Sequence, residues 1–368
     1  MLASQVDAAS QGDAASQVDA ASQVDAASQV DAARVCDRRR PRPALHDRRV
    51  AGAQVRQAGP MPSTQASQAV EVDGRRLRLS NLDKVLYPAT GTTKGEVIAY
   101  YHAIAPVMLA HLADRALTRK RWPDGVDGPP FFEKNVPQGT PEWVRTVRLP
   151  TPGSSSGRDT IVFPLVDDVA GLVWLANLAA LELHVPQWRV GPRGKVHGPD
   201  RLVVDLDPGP PAGLGECTSV ALAVRDHLAA DGLDAYPVTS GSKGMQLYVP
   251  VSGKQDAQSV HAFAKQLAEK MERQLRGLVV SRMTKAIRPG KVLLDWSQNH
   301  PAKTTICPYS LRGRAEPCVA APRTWAELEL ASDGGEPLTQ LRSHDVLDRV
   351  ADDGDLLAGL FTPGPEVR

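Results

Sequence analysis

Leu202-Val203-Val204-Asp205-Leu206-Asp207-Pro208-Gly209 is the stretch on which the reading of the chain turns. An apolar run reads as a buried strand, and this one ends in Asp-x-Asp. Successive side chains on a strand point to opposite faces, so Asp205 and Asp207 share a face. Two neighbouring carboxylates repel each other unless a cation lies between them. Hard divalent cations such as Mg²⁺ and Mn²⁺ favour oxygen ligands of this kind. The plainer alternative is a strand end with two solvated acids, and the local pattern leaves both open.

A second apolar strand, Lys291-Val292-Leu293-Leu294-Asp295-Trp296-Ser297-Gln298-Asn299, delivers a third carboxylate. If the two strands are neighbours, three aspartates meet the needs of phosphoryl transfer with two metals about 3.5–4 Å apart. Around these strands the pattern alternates. Cys217 to Asp231 reads as a helix, and Ala235–Thr239 and Met245–Val251 read as strands around a Gly loop. Ala257 to Leu278 carries apolar residues at helical spacing. Upstream, Val70 to Leu79 reads as a hairpin around Asp73-Gly74, and Ser80 to Leu86 as a capped helical turn. Thr93-Lys94-Gly95-Glu96 is a capping box opening a helix to about Leu112. Residues 122–160 are turn-rich with short strands. Val166 to Leu183 reads as one amphipathic to buried helix, and the Pro/Gly-rich residues from Thr362 as loose. This alternation predicts an α+β (α/β) fold with a mixed central sheet flanked by helices.

The chain has 368 residues, 43 Lys+Arg and 42 Asp+Glu. Residues 61–368 hold 35 basic and 35 acidic residues, so a nucleic-acid partner would have to be held by local patches. No apolar run approaches the roughly 20 residues of a membrane span. The most apolar stretch, Val169 to Val185, is interrupted by Asn177 and Glu182. The N-terminus lacks the pattern of a secretory signal. Cys36, Cys217, Cys307 and Cys318 form neither CxxC pairs nor zinc spacing, and a reducing cytoplasm is the expected compartment. Residues 3–32 repeat Ala-Ser-Gln-Val-Asp-Ala five times, with Gly12 replacing one Val. Residues 1–60, Arg-rich in their second half, read as a low-complexity, disordered tail. Met61 is an alternative start, the upstream stretch then being an artefact of start-site choice. A basic arm touching DNA is the sharper alternative. The folded domain is expected over residues 68–362.

Ser240-Gly241-Ser242-Lys243-Gly244 lies between two strand-like runs. Its glycines allow close backbone approach to a phosphate, and Lys243 adds charge. It lacks the P-loop spacing, and a tight hairpin turn fits it equally well. Basic residues cluster at Arg119-Lys120-Arg121, at Arg282, Lys285, Arg288 and Lys291, and at Arg312 and Arg314. Trp122, Phe131 and Phe132 interleave with them, as stacking platforms do in nucleic-acid grooves. An aromatic pair is otherwise ordinary core, and His184 alone is an ordinary structural histidine.

Taken together, the motifs resemble the polymerase domain of bacterial ATP-dependent DNA ligase D, a branch of the archaeo-eukaryotic primase superfamily. The resemblance runs from Leu77 to Leu360. It rests on Leu79-Ser80-Asn81-Leu82-Asp83-Lys84-Val85-Leu86-Tyr87-Pro88, Arg121-Trp122-Pro123-Asp124-Gly125-Val126 and Phe131-Phe132-Glu133-Lys134-Asn135. His184-Val185-Pro186-Gln187-Trp188, the two Asp strands, the Ser-Gly loop and Pro308-Tyr309-Ser310-Leu311-Arg312-Gly313 complete it.

The resemblance implies a primase-polymerase fold and a nucleotidyltransferase of bacterial non-homologous end joining. Such a domain adds ribonucleotides, and less readily deoxyribonucleotides, at DNA ends and gaps, with two Mn²⁺ or Mg²⁺ ions. By the resemblance, Asp205, Asp207 and Asp295 are the metal carboxylates. Lys120, Phe131, Phe132, His184, Ser240, Lys243, Gln298 and Arg312 line the nucleotide or its template. Asn81, Lys84, Lys94 and Arg121 hold a DNA 5′-phosphate, and Arg288 lies on a mobile loop beside the site. Related primases often carry a His after the Ser-Gly loop where Gln246 stands here, a neutral amide that can still hydrogen-bond a phosphate. No ligase motif or nuclease segment is read in the chain, so a separate ATP-dependent ligase and a Ku end-binder are the implied partners, with no membrane. From the carboxylates alone, a two-metal nuclease fits as well; a non-catalytic end-binding module would use the 5′-phosphate pocket without the metals, and the three intact carboxylates argue against it.

Overall fold

The computed structural model describes residues 67–151 and 159–368. The tail expected over residues 1–60 lies outside the described residues. In chain order, β1 (Ser67–Val72) and β2 (Arg75–Ser80) form the hairpin around Asp73-Gly74. Next come β3 (Val85–Tyr87), β4 (Thr92–Thr93) and α1 (Lys94–Leu112). The expected capping box opens α1: Thr93 Oγ1 accepts from Glu96 N at 3.3 Å, and Thr93 N donates to Glu96 Oε2 at 2.7 Å. The helical turn expected at Ser80–Leu86 is not formed. A turn there leads into β3, with Asn81 at φ 55° and Lys84 N donating to Asn81 O at 3.1 Å.

The chain continues through β5 (Thr118–Arg121), β6 (Phe131–Glu133), β7 (Thr146–Pro150) and β8 (Thr160–Pro164). The helix expected over Val166–Leu183 is two elements. α2 (Val169–Asn177) starts where Asp168 accepts from Gly171 N at 2.7 Å. It ends in a turn with Ala179 at φ 56°, and β9 (Ala180–Val185) follows. Leu181, Leu183 and Val185 enter the core while Glu182 and His184 point to the other face. A run with apolar residues at both spacings reads either way, and here the period of two prevails after Asn177.

β10 (Trp188–Val190), β11 (Val196–Pro199) and β12 (Arg201–Pro208) lead to α3 (Leu214–Ala230). β13 (Tyr236–Thr239) and β14 (Met245–Pro250) precede α4 (Ala257–Gln274). β15 (Val279–Val280), β16 (Val292–Leu294), β17 (Thr305–Ile306), β18 (Ala321–Pro322), α5 (Trp325–Ser332) and α6 (Ser343–Asp353) complete the elements used below.

Two sheets carry the architecture. One is six-stranded in the order β15-β16-β12-β14-β13-β18, antiparallel except for β15 against β16, and hence mixed. The other is four-stranded and antiparallel, β17-β9-β5-β6. On one face of the large sheet, Leu202, Val204 and Leu206 pack against α3 (Val220, Val224, Leu228) and α4 (Val260, Ala264, Leu267, Met271). Those helical residues recur at three- and four-residue steps, the stripe that a sheet-packed helix needs. The alternate residues of β12, Val203, Asp205 and Asp207, therefore point away from the helices. There Val203 and Tyr248 pack with Ile306 of β17, whose register partner is His184. The two sheets thus meet face to face, and the charged ends of their strands line the space between them. The C-terminus is not loose: Val367 is buried, and its N–H and C=O each bond the Gln255 side chain at 2.7 Å.

Candidate functional site

The register of β12 and β16 pairs Leu206 with Leu294 and so sets Asp295 opposite Asp205; Asp295 N donates to Asp205 O at 2.9 Å. On the other side, β14 pairs Gln246 with Asp205. Asp295, Asp205 and Gln246 therefore form one row across three strands, with neighbouring Cβ atoms about 5 Å apart. Asp207 follows on the same face, and Arg288 Nη1 stands 3.7 Å from its Oδ2. Burial pushes the Asp205 carboxyl up to about 8, and the negative charges of Asp295 and Asp207 add to the effect.

Each acid has a neighbour. Gln246 Nε2 donates to Asp205 Oδ1 at 3.0 Å. Asp295 Oδ1 accepts from Ser297 N at 3.1 Å and from the Ser297 hydroxyl, and its Oδ2 from Gln298 Nε2 at 3.0 Å. Among the described residues, no three His, Cys, Asp or Glu side chains close around one point as a finished cage. What suits a divalent cation is the donor chemistry: three hard carboxylate side chains on one sheet face, whose mutual repulsion a cation between them would relieve.

The four-stranded sheet supplies the opposite charge. Lys120 pairs in register with Glu182 on one side and Phe132 on the other. Glu182 is 4% exposed and gathers partners: His184 Nε2 at 2.9 Å and Arg312 Nε at 3.3 Å, with Gly313 N donating at 3.1 Å. Burial pushes its carboxyl up, but Arg312, His184 and Lys120 outweigh burial and hold it below the usual carboxylate range. Arg312 also acts on Asp205, so it lies within reach of both rows. Lys120 Nζ stands 5.0 Å over the Trp122 ring. Phe131 and Phe132 are 51% and 53% exposed, not core, and Phe132 lies 6.3 Å from the His184 ring.

Ser240–Gly244 is the turn between β13 and β14, closed by Ser240 N on Gly244 O at 2.9 Å. Gly241 has φ +68°, and a Cβ on Gly244 would stand 1.9 Å from Leu206 O, so both glycines are required. Gln340 pins the turn from outside, accepting from Gly241 N at 2.6 Å and donating to Gly244 O at 3.0 Å. Lys243 is exposed and makes no ion pair among the described residues. Gln246 is not placed as a phosphate ligand; it is 95% buried and spent on Asp205 and Tyr248.

The third group lies at the start of α1. Lys94 Nζ donates to Ser80 O at 2.6 Å, and Lys84 pairs with Asp124 at 2.8 Å. Burial, then repulsion from Lys84 and Arg121, lowers Lys94 to about 8. Arg121 is braced by Glu133 at 2.8 Å and by Leu178 O at 2.7 Å. Lys94 thus stands close enough to Lys84 and Arg121 to be repelled by both, and Asn81 lies at the turn beside them.

Glu182, Tyr248, Glu133 and Gln340 escaped the reading of the sequence. The alternation in β9 was the available signal for Glu182; none was available for Gln340, 99 residues from Gly241.

Comparison with known proteins agrees with this layout. The family model of the LigD primase-polymerase domain matches residues 93–357. The chain is 50% identical over 296 residues to a multifunctional non-homologous end joining DNA repair protein LigD of Mycobacterium tuberculosis, covering 79% of this chain and 38% of that protein. A bifunctional non-homologous end joining protein LigD of Bacillus subtilis is 32% identical over 255 residues, covering 69% of this chain and 40% of that protein. The chain thus spans about two fifths of the length of these relatives. The solved polymerase domain of Mycobacterium tuberculosis ligase D, in complex with DNA, superposes with a TM-score of 0.73 at 49% identity, covering 79% of this chain and 99% of that one. A fold in which three aspartates face a row of cations, matched over most of its length by that family's model and half identical to a member of it, places the chain in the LigD primase-polymerase domain family.

Proposed function

We propose that the chain is a DNA-directed nucleotidyltransferase. It adds ribonucleotides, or less readily deoxyribonucleotides, at broken ends and gaps during bacterial non-homologous end joining. The observation that carries this is the acidic row Asp295–Asp205 set within reach of Arg312, which is itself held by Glu182. Phosphoryl transfer needs positioning and charge stabilisation more than covalent chemistry, and the two facing rows offer both.

Asp205, Asp207 and Asp295 would hold two divalent ions, Mn²⁺ or Mg²⁺. Bound there, such ions would supply activation of the 3′-hydroxyl and neutralisation of charge on the triphosphate. Lys243, at the tip of the Ser240–Gly244 turn, and Arg312 and Lys120 draw the triphosphate; Ser240 and His184 offer further polar contacts. Gln298 steadies Asp295. Phe131 and Phe132, exposed beside His184, stack on a base. Asn81, Lys84, Lys94 and Arg121 take the 5′-phosphate across the gap, so that a chain without net positive field still finds broken ends. Arg288, 3.7 Å from Asp207, stands where it could contact the nucleotide or the opposing end.

Residues 68–362 form the catalytic unit, acting in the bacterial cytoplasm at the nucleoid. An ATP-dependent ligase activity seals the product, and Ku gathers the ends. The test is extension of a primer on a gapped duplex carrying a 5′-phosphate, with Mn²⁺ and ribo- or deoxyribonucleoside triphosphates. Extension by wild type but not Asp207→Ala is expected, with both binding the phosphorylated end. Bound ends without extension by wild type would replace the polymerase reading with an end-binding module, and shortening of the primer would replace it with a nuclease.

A further inference from the structure

Past β16 the acidic row runs into a patch of opposite character. α4 and the turn after Asp295 bring together His261, Lys265, Trp296, His300 and Lys303. The His261 ring lies 5.0 Å from Trp296 and 5.6 Å from His300, and Lys265 Nζ stands 5.3 Å from the Trp296 ring centre. Trp296 is fixed from below by its Nε1, which donates to Ser281 O at 2.8 Å. Lys303 Nζ donates to Ser297 Oγ, the hydroxyl that in turn bonds Asp295.

Neither Lys265 nor Lys303 forms an ion pair among the described residues, and Lys265 is exposed. Glu272, two turns along α4, is engaged by Ser281 and Arg282. His261 is held below its ordinary value by burial first and then by His300, Lys303 and Lys265, with Asp295 opposing; His300 is lowered by burial and Lys303. Mutual repulsion of this kind marks the Lys84–Lys94–Arg121 group as well.

We propose that this patch binds the backbone phosphates of the DNA strand whose 3′-hydroxyl is extended. The inference rests on the polymerase reading and adds the direction of the strand. Gln246, Asp205 and Asp295 form one row across the sheet; the Ser240–Gly244 turn lies beside its Gln246 end, and the patch reaches its Asp295 end through Lys303 and Ser297. In phosphoryl transfer the attacking and leaving oxygens lie roughly in line on opposite sides of phosphorus. With pyrophosphate leaving toward Lys243, the attacking hydroxyl arrives from the Asp295 end. The strand that carries it then leaves past the Trp296 turn at the edge of the sheet, where Lys303 and Lys265 meet its phosphates.

The experiment is fluorescence anisotropy with a 3′-overhang DNA lacking any 5′-phosphate, over a series of salt concentrations. The chains compared are wild type, Lys265→Ala/Lys303→Ala and Lys265→Arg/Lys303→Arg. The alanine pair is expected to weaken binding about tenfold. It should also flatten the plot of log affinity against log salt by about 1.4, near 0.7 per single-strand phosphate contact. The arginine pair should restore both, and 5′-phosphate recognition should be unchanged in all three. An unchanged slope overturns the proposal, as does equal loss of 5′-phosphate recognition, which would report a damaged fold. The slope reads binding alone, so it stands apart from the extension assay: wild type that binds this DNA without extending it sinks the polymerase reading, not the strand path.

Discussion

The amide of Gln246 is bound to the carboxylate of Asp205, Nε2 to Oδ1 at 3.0 Å, and is itself held at Oε1 by the Tyr248 hydroxyl at 3.0 Å. That hydroxyl is shared with Ile306 O at 2.7 Å. A buried chain of this kind fixes which oxygen of Asp205 is engaged and which remains for a metal. Loss of such outer contacts typically lowers metal affinity by about 10–100-fold. Gln246→Leu is therefore expected to weaken Mn²⁺ binding about tenfold, read by electron paramagnetic resonance with no nucleotide present. Tyr248→Phe should show a smaller loss. Unaltered Mn²⁺ affinity in both would mean that Asp205 needs no such support.

The raised Asp205 carboxyl makes the metal-free chain sensitive to pH. Folded, it titrates at about 8; unfolded, near 3.9. Between those values the folded state holds a proton that the unfolded state has released, so stability falls as pH rises through that window and then levels off. Melting temperature, followed with chelator present, should decline from about pH 5 to about pH 8. Asp205→Asn should flatten the decline and melt higher than wild type at the alkaline end. Mn²⁺ should raise the wild-type melting temperature there and do little for Asp205→Asn.

Lys94 carries the opposite sign. Its ammonium loses its proton near 8 rather than near 10.4, because burial, Lys84 and Arg121 all disfavour the charge. A phosphate dianion in the pocket favours that charge, so binding draws in a proton at alkaline pH. The preference for 5′-phosphorylated over unphosphorylated ends should fall several-fold between about pH 7 and about pH 9. Lys94→Arg keeps its charge and should hold the preference flat. Lys84→Ala/Lys94→Ala should abolish it while simple primers are still extended; survival of the preference in that double variant would remove these lysines from the phosphate site.

What the sequence made legible was chemistry carried by short local patterns. Asp205, Asp207 and Asp295 stand at the ends of apolar runs whose alternation gives their face, and Thr93 and Glu96 announce the start of α1. Register was not legible. Nothing local says that β12 lies between β14 and β16, and so that Gln246 faces Asp205 and not a phosphate. The break within Val166–Leu183 was hidden because Leu181, Leu183 and Val185 suit a helix as well as a strand. That misreading also concealed Glu182, which becomes visible only once His184 shares its face.

Glu182 holds two side chains, Arg312 and His184, on which nucleotide binding would depend. Glu182→Gln keeps its volume and its acceptor for Gly313 N but removes the charge that steadies Arg312 and His184. Removing one partner of a buried ion pair costs about 3–5 kcal/mol. Arg312 and His184 keep some solvent, at 13% and 15% exposure, so a loss nearer about 2 kcal/mol is expected, read by urea unfolding. The KM for the nucleoside triphosphate should rise about tenfold, with affinity for 5′-phosphorylated ends unchanged. A KM equal to wild type would show that Arg312 is oriented by something other than Glu182.

Gln340 closes the Ser240–Gly244 turn as a backbone segment would, taking the N–H of Gly241 and giving an N–H to Gly244 O. Each bond is worth about 1 kcal/mol net. The turn also leans on Arg312, whose Cγ lies 2.6 Å from where a Gly241 Cβ would be, so its position is set from two sides. Gln340→Ala frees one side. It should raise the KM for the triphosphate about fivefold to tenfold through loss of a preformed turn, and lower the melting temperature by a few degrees. Gln340→Glu discriminates further: a carboxylate still accepts from Gly241 N but cannot donate to Gly244 O, and its charge repels triphosphate. It should be worse than alanine for nucleotide and equal to wild type for 5′-phosphorylated DNA. Identical KM values for wild type and both variants would show that the turn holds its shape through Ser240 N and Gly244 O alone.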